Sequence, residues 1–235
     1  APEGCVLVDA DYSQIELRLL AHIAGDAEMQ AAFRSGADFH TVTASRVFHV
    51  PPEEVTPEMR RRAKAVNFGI VYGISAFSLA QDIGVSVAEA KAYMERYFET
   101  YQGVRQYMTD VVAKAEQDGY VQTLMHRRRT LPELKSSNFN LREFGKRVAL
   151  NMPVQGTAAD IMKLAMVRVH RRLKREGLRA RLLMQVHDEL IVECPASEQE
   201  QVERLLTEEM EQAASLSVPL IAEAHSGKNW LAAKE

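Results

Sequence analysis

Asp11 and Asp188, 177 positions apart, sit on two backbone devices suited to holding cations over a sheet. Asp11 follows the apolar run Cys5-Val6-Leu7-Val8-Asp9-Ala10 and precedes Ser13-Gln14-Ile15-Glu16. That tetrad reads as a capping box, in which Ser13 takes the N3 amide and Glu16 reaches back to the cap. A strand therefore hands over to a helix, leaving the Asp11 carboxylate at a strand end. Around Asp188, Leu182, Met184 and Val186 alternate on one side and Leu190, Val192 and Cys194 on the other. Period-two apolar arms about a polar centre predict a hairpin with adjacent acids at its tip. Carboxylates gathered at strand ends repel one another unless a cation intervenes, and two Mg²⁺ ions about 4 Å apart are the usual solution in phosphoryl transfer. Consecutive side chains on a hairpin point to opposite faces, so Glu189 is expected to support the site rather than serve as a full ligand.

A second constellation lies on one helix. Thr56 is a natural N-cap with Pro57 at N1. Arg60, Lys64, Phe68 and Tyr72 then recur every four residues, which places them on one arc. Cations near the start and aromatics near the end suit a triphosphate and a base. The same spacing also describes a basic solvent face beside a core aromatic stripe.

The remaining elements follow from caps and breakers. Helices are expected over 14–25 and 26–34, with Asp38 capping a third. Further helices are expected over 86–100, with Ser86 and Glu89 at capping spacing, and over 104–119. Short extended pieces flank the basic turn Arg127-Arg128-Arg129. Helices over 140–151 and 157–176 are expected to join at Met152-Pro153, and an acidic helix spans 198–211. Trp230 reads as a core anchor.

With 235 residues and 46% hydrophobic content, the chain can bury a substantial core in one domain or two lobes. No apolar run approaches the roughly 20 residues of a membrane span, and no signal peptide is read before Cys5. Cys5 and Cys194 lack CxxC or Cys/His spacing and are expected as buried thiols in a reducing, cytoplasmic compartment. The net charge of −3 conceals segregation: residues 126–181 carry 15 Lys and Arg against four acids, leaving the remainder strongly acidic. Such a cationic stretch can track phosphates, although a charge run is as often a solvated face.

These residues carry a resemblance. Asp11-Tyr12-Ser13-Gln14-Ile15-Glu16-Leu17-Arg18 resembles motif A of the family A DNA polymerases, and His187-Asp188-Glu189 resembles motif C. Between them, the run from Arg60 to Gly73 resembles motif B. The three come in the family's order, and the similarity covers nearly the whole chain. The resemblance implies an α+β right hand seen without its thumb. An antiparallel palm sheet backed by helices would be formed by 1–36 (motif A) and 136–235 (motif C), with mostly helical fingers, 37–135 (motif B), inserted between. It implies primer–template DNA and deoxynucleoside triphosphates as partners, Mg²⁺ as cofactor, no membrane, and work in DNA replication and repair.

Residue by residue, the resemblance implies that Asp11 and Asp188, with the Tyr12 carbonyl, hold the two metals, with Glu189 beside them. Arg60 would meet the outer phosphate and Lys64 the α-phosphate region, as a proton donor to the leaving group. Gln14 and His40 would be further triphosphate contacts, Phe68 would pack on the sugar and Tyr72 would sit by the nascent pair. Glu16 would block a ribose 2′-hydroxyl. Arg147, Asn151 and Gln155 would touch the primer–template minor groove, whose degenerate acceptors test pair geometry without reading sequence. His187 would approach the primer terminus.

Only ten residues, Ala1–Ala10, precede motif A at Asp11, so thumb and exonuclease-like functions are expected from an upstream segment of the same polymerase. His126 stands where many relatives have Gly before the arginine run. Two rival classes use the same residues: a nucleic-acid binding module with decayed chemistry, and a two-metal nuclease. The first is opposed by the intact Asp11, Asp188, Arg60, Lys64 and Tyr72. The second leaves the Arg60–Tyr72 arc without a purpose.

Overall fold

The computed structural model describes residues 1–234, and the chain divides into two compact units. The first comprises residues 1–15 together with 158–234, and the second residues 16–157. Against the expected segments, 16–36 and 136–157 group with the inserted helices rather than with the sheet. Residue 235, the last of the expected third segment, lies outside the described residues.

The first unit is built on a four-stranded antiparallel sheet of order β4-β5-β1-β6. Its strands are β1 (Cys5–Tyr12), β4 (Arg181–Val186), β5 (Glu189–Pro195) and β6 (Ala222–Gly227). Val8, Ala10 and Tyr12 alternate on one face of β1 and are all buried, as the pleat requires. The helix α9 (Gln199–Glu211) packs on β1 and β6 through a buried stripe of Val202, Leu205, Leu206 and Met210. The Tyr12 hydroxyl donates to the Met210 carbonyl at 2.7 Å, which fixes the helix against the central strand. A bulge between Leu182 and Met184 interrupts the alternation expected along β4.

The second unit is mostly helical. It contains α1 (Ile15–Ala24) from its second residue on, α2 (Ala27–Arg34), α3 (Phe39–Phe48), α4 (Pro57–Val71), α5 (Ala76–Ile83), α6 (Val87–Thr100) and α7 (Gln102–Asp118). A small hairpin of β2 (Tyr120–Gln122) and β3 (Arg128–Thr130) follows. Asp38, Thr56 and Ser86, read as caps from sequence, accept the expected amide, and Ser86 with Glu89 forms a full capping box, while Asp26, expected as the first residue of its helix, caps it instead. The sequence reading assigned no helix to α5, although Ser75 caps it and Gly84, at φ +67°, ends it.

Two expectations are corrected here. The helices expected to join at Met152-Pro153 form one 37-residue helix, α8 (Phe139–Arg175), which runs through Pro153. Proline costs about 3 kcal/mol inside a helix. Burial of Ala149, Val154 and Thr157 on either side offsets that cost, with the Thr157 hydroxyl bonding back to the Pro153 carbonyl at 2.5 Å. The capping box proposed at Ser13 is also out of register. Gln14 adopts φ 56° and α1 begins at Ile15, so Glu16 stands at the second helical position rather than the third.

Candidate functional site

β1 places the acidic centre of the first unit. Asp11 lies opposite Glu189 in the β1–β5 ladder, and the Tyr12 amide donates to the Asp188 carbonyl at 3.1 Å. His187, at φ 50°, and Asp188 form the two-residue turn between β4 and β5, so the tight hairpin itself brings Asp188 beside the end of β1. His187 is exposed and Gln185 donates to its carbonyl at 2.6 Å.

The electrostatics are those of acids in search of a cation. The Asp11 carboxyl is pushed up to about 7, first by burial and then by Asp188, Glu189 and Asp9. Its side chain reaches solvent, yet enough protein surrounds it for burial to remain the largest cause. Asp188 is raised by burial and by Glu189. Asp9 is raised by burial and Glu189, and its Oδ1 is buried with no hydrogen-bond partner. Hard carboxylate oxygens held at this mutual cost fit Mg²⁺. Among the described residues no three His, Cys, Asp or Glu side chains converge as a complete metal cage. The Gln14 side-chain Oε1 is buried and unpartnered as well.

α4 places the second constellation. Arg60 and Lys64 are exposed along it, Phe68 is partly buried, and Tyr72 caps its end with 39% exposure. The Phe68 and Tyr72 rings stack with centroids 6.5 Å apart. The Tyr72 hydroxyl donates to Glu16 Oε2 at 2.6 Å, so the Glu16 carboxylate receives a hydroxyl from the end of α4. Gly73, at φ +67°, turns the chain, and a Cβ there would lie 3.1 Å from the Leu150 side chain. Phe68, Tyr72, Gly73 and Arg147 line part of an open cleft of about 500 Å³.

Arg60 is held by Asp38 through two hydrogen bonds, at 2.8 and 3.0 Å. Burial alone would raise Asp38, but the bonds from Arg60 and Thr41 outweigh it and hold the carboxyl well below the usual range. His40 is 2% exposed, its Nδ1 faces the Asn67 side-chain nitrogen at 3.0 Å, and burial lowers its pKa to about 4.

On α8, Arg147 and Gln155 are exposed while Asn151 is partly buried with Oδ1 unpartnered. Much of the basic segment is paired internally: Arg168 meets Glu209 at 2.8 Å, Arg172 meets Glu208 at 2.6 Å, and Arg181 meets Glu193 at 2.7 Å. The acidic helix is therefore a partner of the cationic stretch as well as its counterweight in charge.

Three residues at the acidic centre escaped the sequence reading. Asp9 was legible, because i and i+2 on a strand share a face and Asp9 precedes Asp11 by two. Trp230 is no core anchor: it is 36% exposed and its Nε1 donates to Asp9 Oδ2 at 3.0 Å. Lys234 Nζ lies 2.7 Å from Glu189 Oε2. Only the folded chain brings Trp230 to β1 and Lys234 to β5. Cys194 is buried as expected, Cys5 only partly, and both are free thiols. Among the described residues no helix is long and apolar enough to cross a membrane.

The chain is thus α+β, an antiparallel sheet carrying acids at a strand end and a hairpin tip, with a mostly helical stretch between β1 and β4 in the sequence. Residues 1–232 match the family model of DNA polymerase family A, and the chain belongs to that family. It is 57% identical over 225 residues to DNA polymerase I of Bacillus caldotenax, covering 96% of this chain and 26% of that protein. It is 51% identical over 233 residues to DNA polymerase I of Streptococcus pneumoniae serotype 4, covering 99% and 27%. Among solved structures, the POL domain of Pol1 from M. smegmatis, in complex with DNA primer-template and dNTP, matches with a TM-score of 0.95 and 51% identity. That match covers 99% of this chain and 41% of the other. The chain thus spans about a quarter of the length of the curated relatives it matches.

Proposed function

We propose that this chain carries the palm and fingers chemistry of template-directed DNA synthesis, adding deoxynucleotides to a primer 3′-hydroxyl with release of pyrophosphate. The observation that carries the reading is the Asp11–Asp188 centre, where burial and then Asp188 raise the Asp11 carboxyl, within a family A polymerase chain. Asp11, Asp188 and the Tyr12 carbonyl would hold two Mg²⁺ ions, with Glu189 supporting. When bound, such ions supply Lewis-acid stabilisation of the attacking and leaving oxygens.

The chain's own residues divide the rest of the work. Arg60 exchanges its Asp38 partner for the outer phosphate, and Lys64 offers charge and a proton toward the leaving group. Gln14 donates its side-chain amide N–H to the triphosphate. Phe68 and Tyr72 present the stacked surface for sugar and base. Glu16, fixed by the Tyr72 hydroxyl, leaves no room for a ribose 2′-hydroxyl. His40, held by Asn67, is a further contact for the triphosphate. Arg147, Asn151 and Gln155 contact the minor groove of the primer–template, and His187 the primer end. The chain spans about a quarter of its relatives' length, and part of the grip on the duplex comes from the rest of the polymerase. The two free thiols suit a reducing cytoplasm.

The test is Mg²⁺-dependent extension of a labelled primer by this chain, alone and with the remaining segments of a relative supplied in trans. Weak, distributive extension that strengthens on addition is expected. Release of nucleotides from DNA without added triphosphates, and no extension, would favour a nuclease instead.

A further inference from the structure

The segment 228–234 folds back over the end of β6 and reaches the acidic centre, a contact that none of the roles above uses. The crossing is at Gly227, where a Cβ would lie 2.5 Å from the Ala232 carbonyl carbon and 2.6 Å from the Ala233 nitrogen. Only glycine lets the two backbones meet so closely. Asn229 pins the turn, its Oδ1 accepting the Ala232 amide at 2.9 Å and its carbonyl the Ala233 amide at 3.1 Å. Ala233 is buried beneath. The turn delivers two donors, Trp230 to Asp9 and Lys234 to Glu189, and the Lys234 ammonium lies 5.0 Å from the Trp230 ring centre. Both acids are almost wholly buried, Asp9 at 4% and Glu189 at 5% exposure. A buried carboxylate without a counter-ion is strongly unfavourable, and here the counter-ion comes from the chain itself.

We propose that Lys234 is a positioning residue, a built-in counter-cation that reserves Glu189 for its own ammonium and leaves Asp11 and Asp188 as the pair that takes divalent cations. The inference rests on the reading of Asp11 and Asp188 as metal ligands. Its consequence is a sorting of neighbouring acids. With Lys234 present, Glu189 is committed and its charge is cancelled locally. Without Lys234, Glu189 joins the acid set and a divalent cation meets one more uncompensated negative charge. Lys234 therefore sets which carboxylates bind metal and holds the affinity down.

Mn²⁺ binding to the intact protein, without DNA or nucleotide at pH 8, provides the test, followed by loss of the free-ion EPR signal. Quenching of Trp230, the only tryptophan, gives a second readout. Lys234→Gln should lower the Mn²⁺ dissociation constant about fivefold, the scale of one partly screened unit charge. Lys234→Arg should keep the parental value. Adding Glu189→Gln to Lys234→Gln should return the affinity to the parental value, which a general loss of packing would not do. An unchanged or weaker affinity in Lys234→Gln overturns the proposal, as does a double variant that fails to reverse it. Asp11→Asn separates the two levels. Lost Mn²⁺ binding there supports the metal reading, and retained binding overturns that reading together with the inference built on it.

Discussion

Asp11 shows how far a single side chain is held from its ordinary chemistry. Its folded pKa of about 7 stands above the 3.8 of an unperturbed aspartate, so between those values the folded state binds more protons than the unfolded one. Stability must then fall as pH rises through that window. In chelator, the thermal midpoint should be lower at pH 8 than at pH 5, Mg²⁺ should recover the loss at pH 8, and Asp11→Asn should flatten the profile. A midpoint indifferent to both pH and Mg²⁺ would contradict the coupling of these acids. For chemistry, Asp11→Asn and Asp188→Asn should each lower single-turnover incorporation at least a hundredfold while leaving DNA affinity nearly unchanged, because phosphate affinity comes from cations elsewhere. Glu16→Ala should reduce deoxy-over-ribonucleotide preference more than it slows deoxynucleotide use. Tyr72→Phe should share part of that loss, since the hydroxyl that holds Glu16 is gone. Equal ratios in parent and both variants, from competing incorporation rates, would leave Glu16 a purely structural residue.

At the scale of elements, one aspartate ties two helices together. Asp26 Oδ1 caps α2 through the Met29 amide at 2.9 Å, and Oδ2 accepts the Gly103 amide at 2.8 Å near the start of α7. Asp26 is 4% exposed, so its loss strands buried amides as well as removing a cap. Asp26→Ala should destabilise the protein by about 2–4 kcal/mol in urea unfolding, and Asp26→Asn by less. A cost near the few tenths typical of exposed sites would show that water replaces the carboxylate. Caps of this kind are local and readable from sequence. The long-range half of the Asp26 contact is not, because nothing in the spacing of 26 and 103 announces it. α8 makes the same point in reverse. Pro153 is a helix breaker by local rules, and burial of the residues around it carries the helix through.

For the molecule as a whole, the distribution of charge matters more than its sum. Arg172 is engaged by Glu176, Glu208 and Glu209 within 2.6–3.3 Å, whereas Arg147 is exposed beside the cleft at the end of α4. Arg172→Gln should lower the thermal midpoint and leave the salt dependence of primer–template affinity unchanged. Arg147→Gln should weaken binding and reduce the slope of log affinity against log salt by about one. The reverse pattern would mean that the internal pairs open when DNA binds.

The sequence by itself determined the family, the central strand and hairpin, most helix caps and the identity of the acid pair. Each of these depends on neighbours within a few residues, where spacing maps directly onto geometry. Even Asp9 was within reach, two residues from Asp11 on one face of a strand. Tertiary structure alone decided the partners that come from far along the chain. It enclosed His40 against Asn67, brought Glu16 to the Tyr72 hydroxyl, and set the acidic helix against the arginines of α8. It also carried Trp230 and Lys234 to Asp9 and Glu189, about 220 and 45 positions away. Burial and charge pairing act between whatever atoms the fold brings together, so their outcome is written in three dimensions and not in local order.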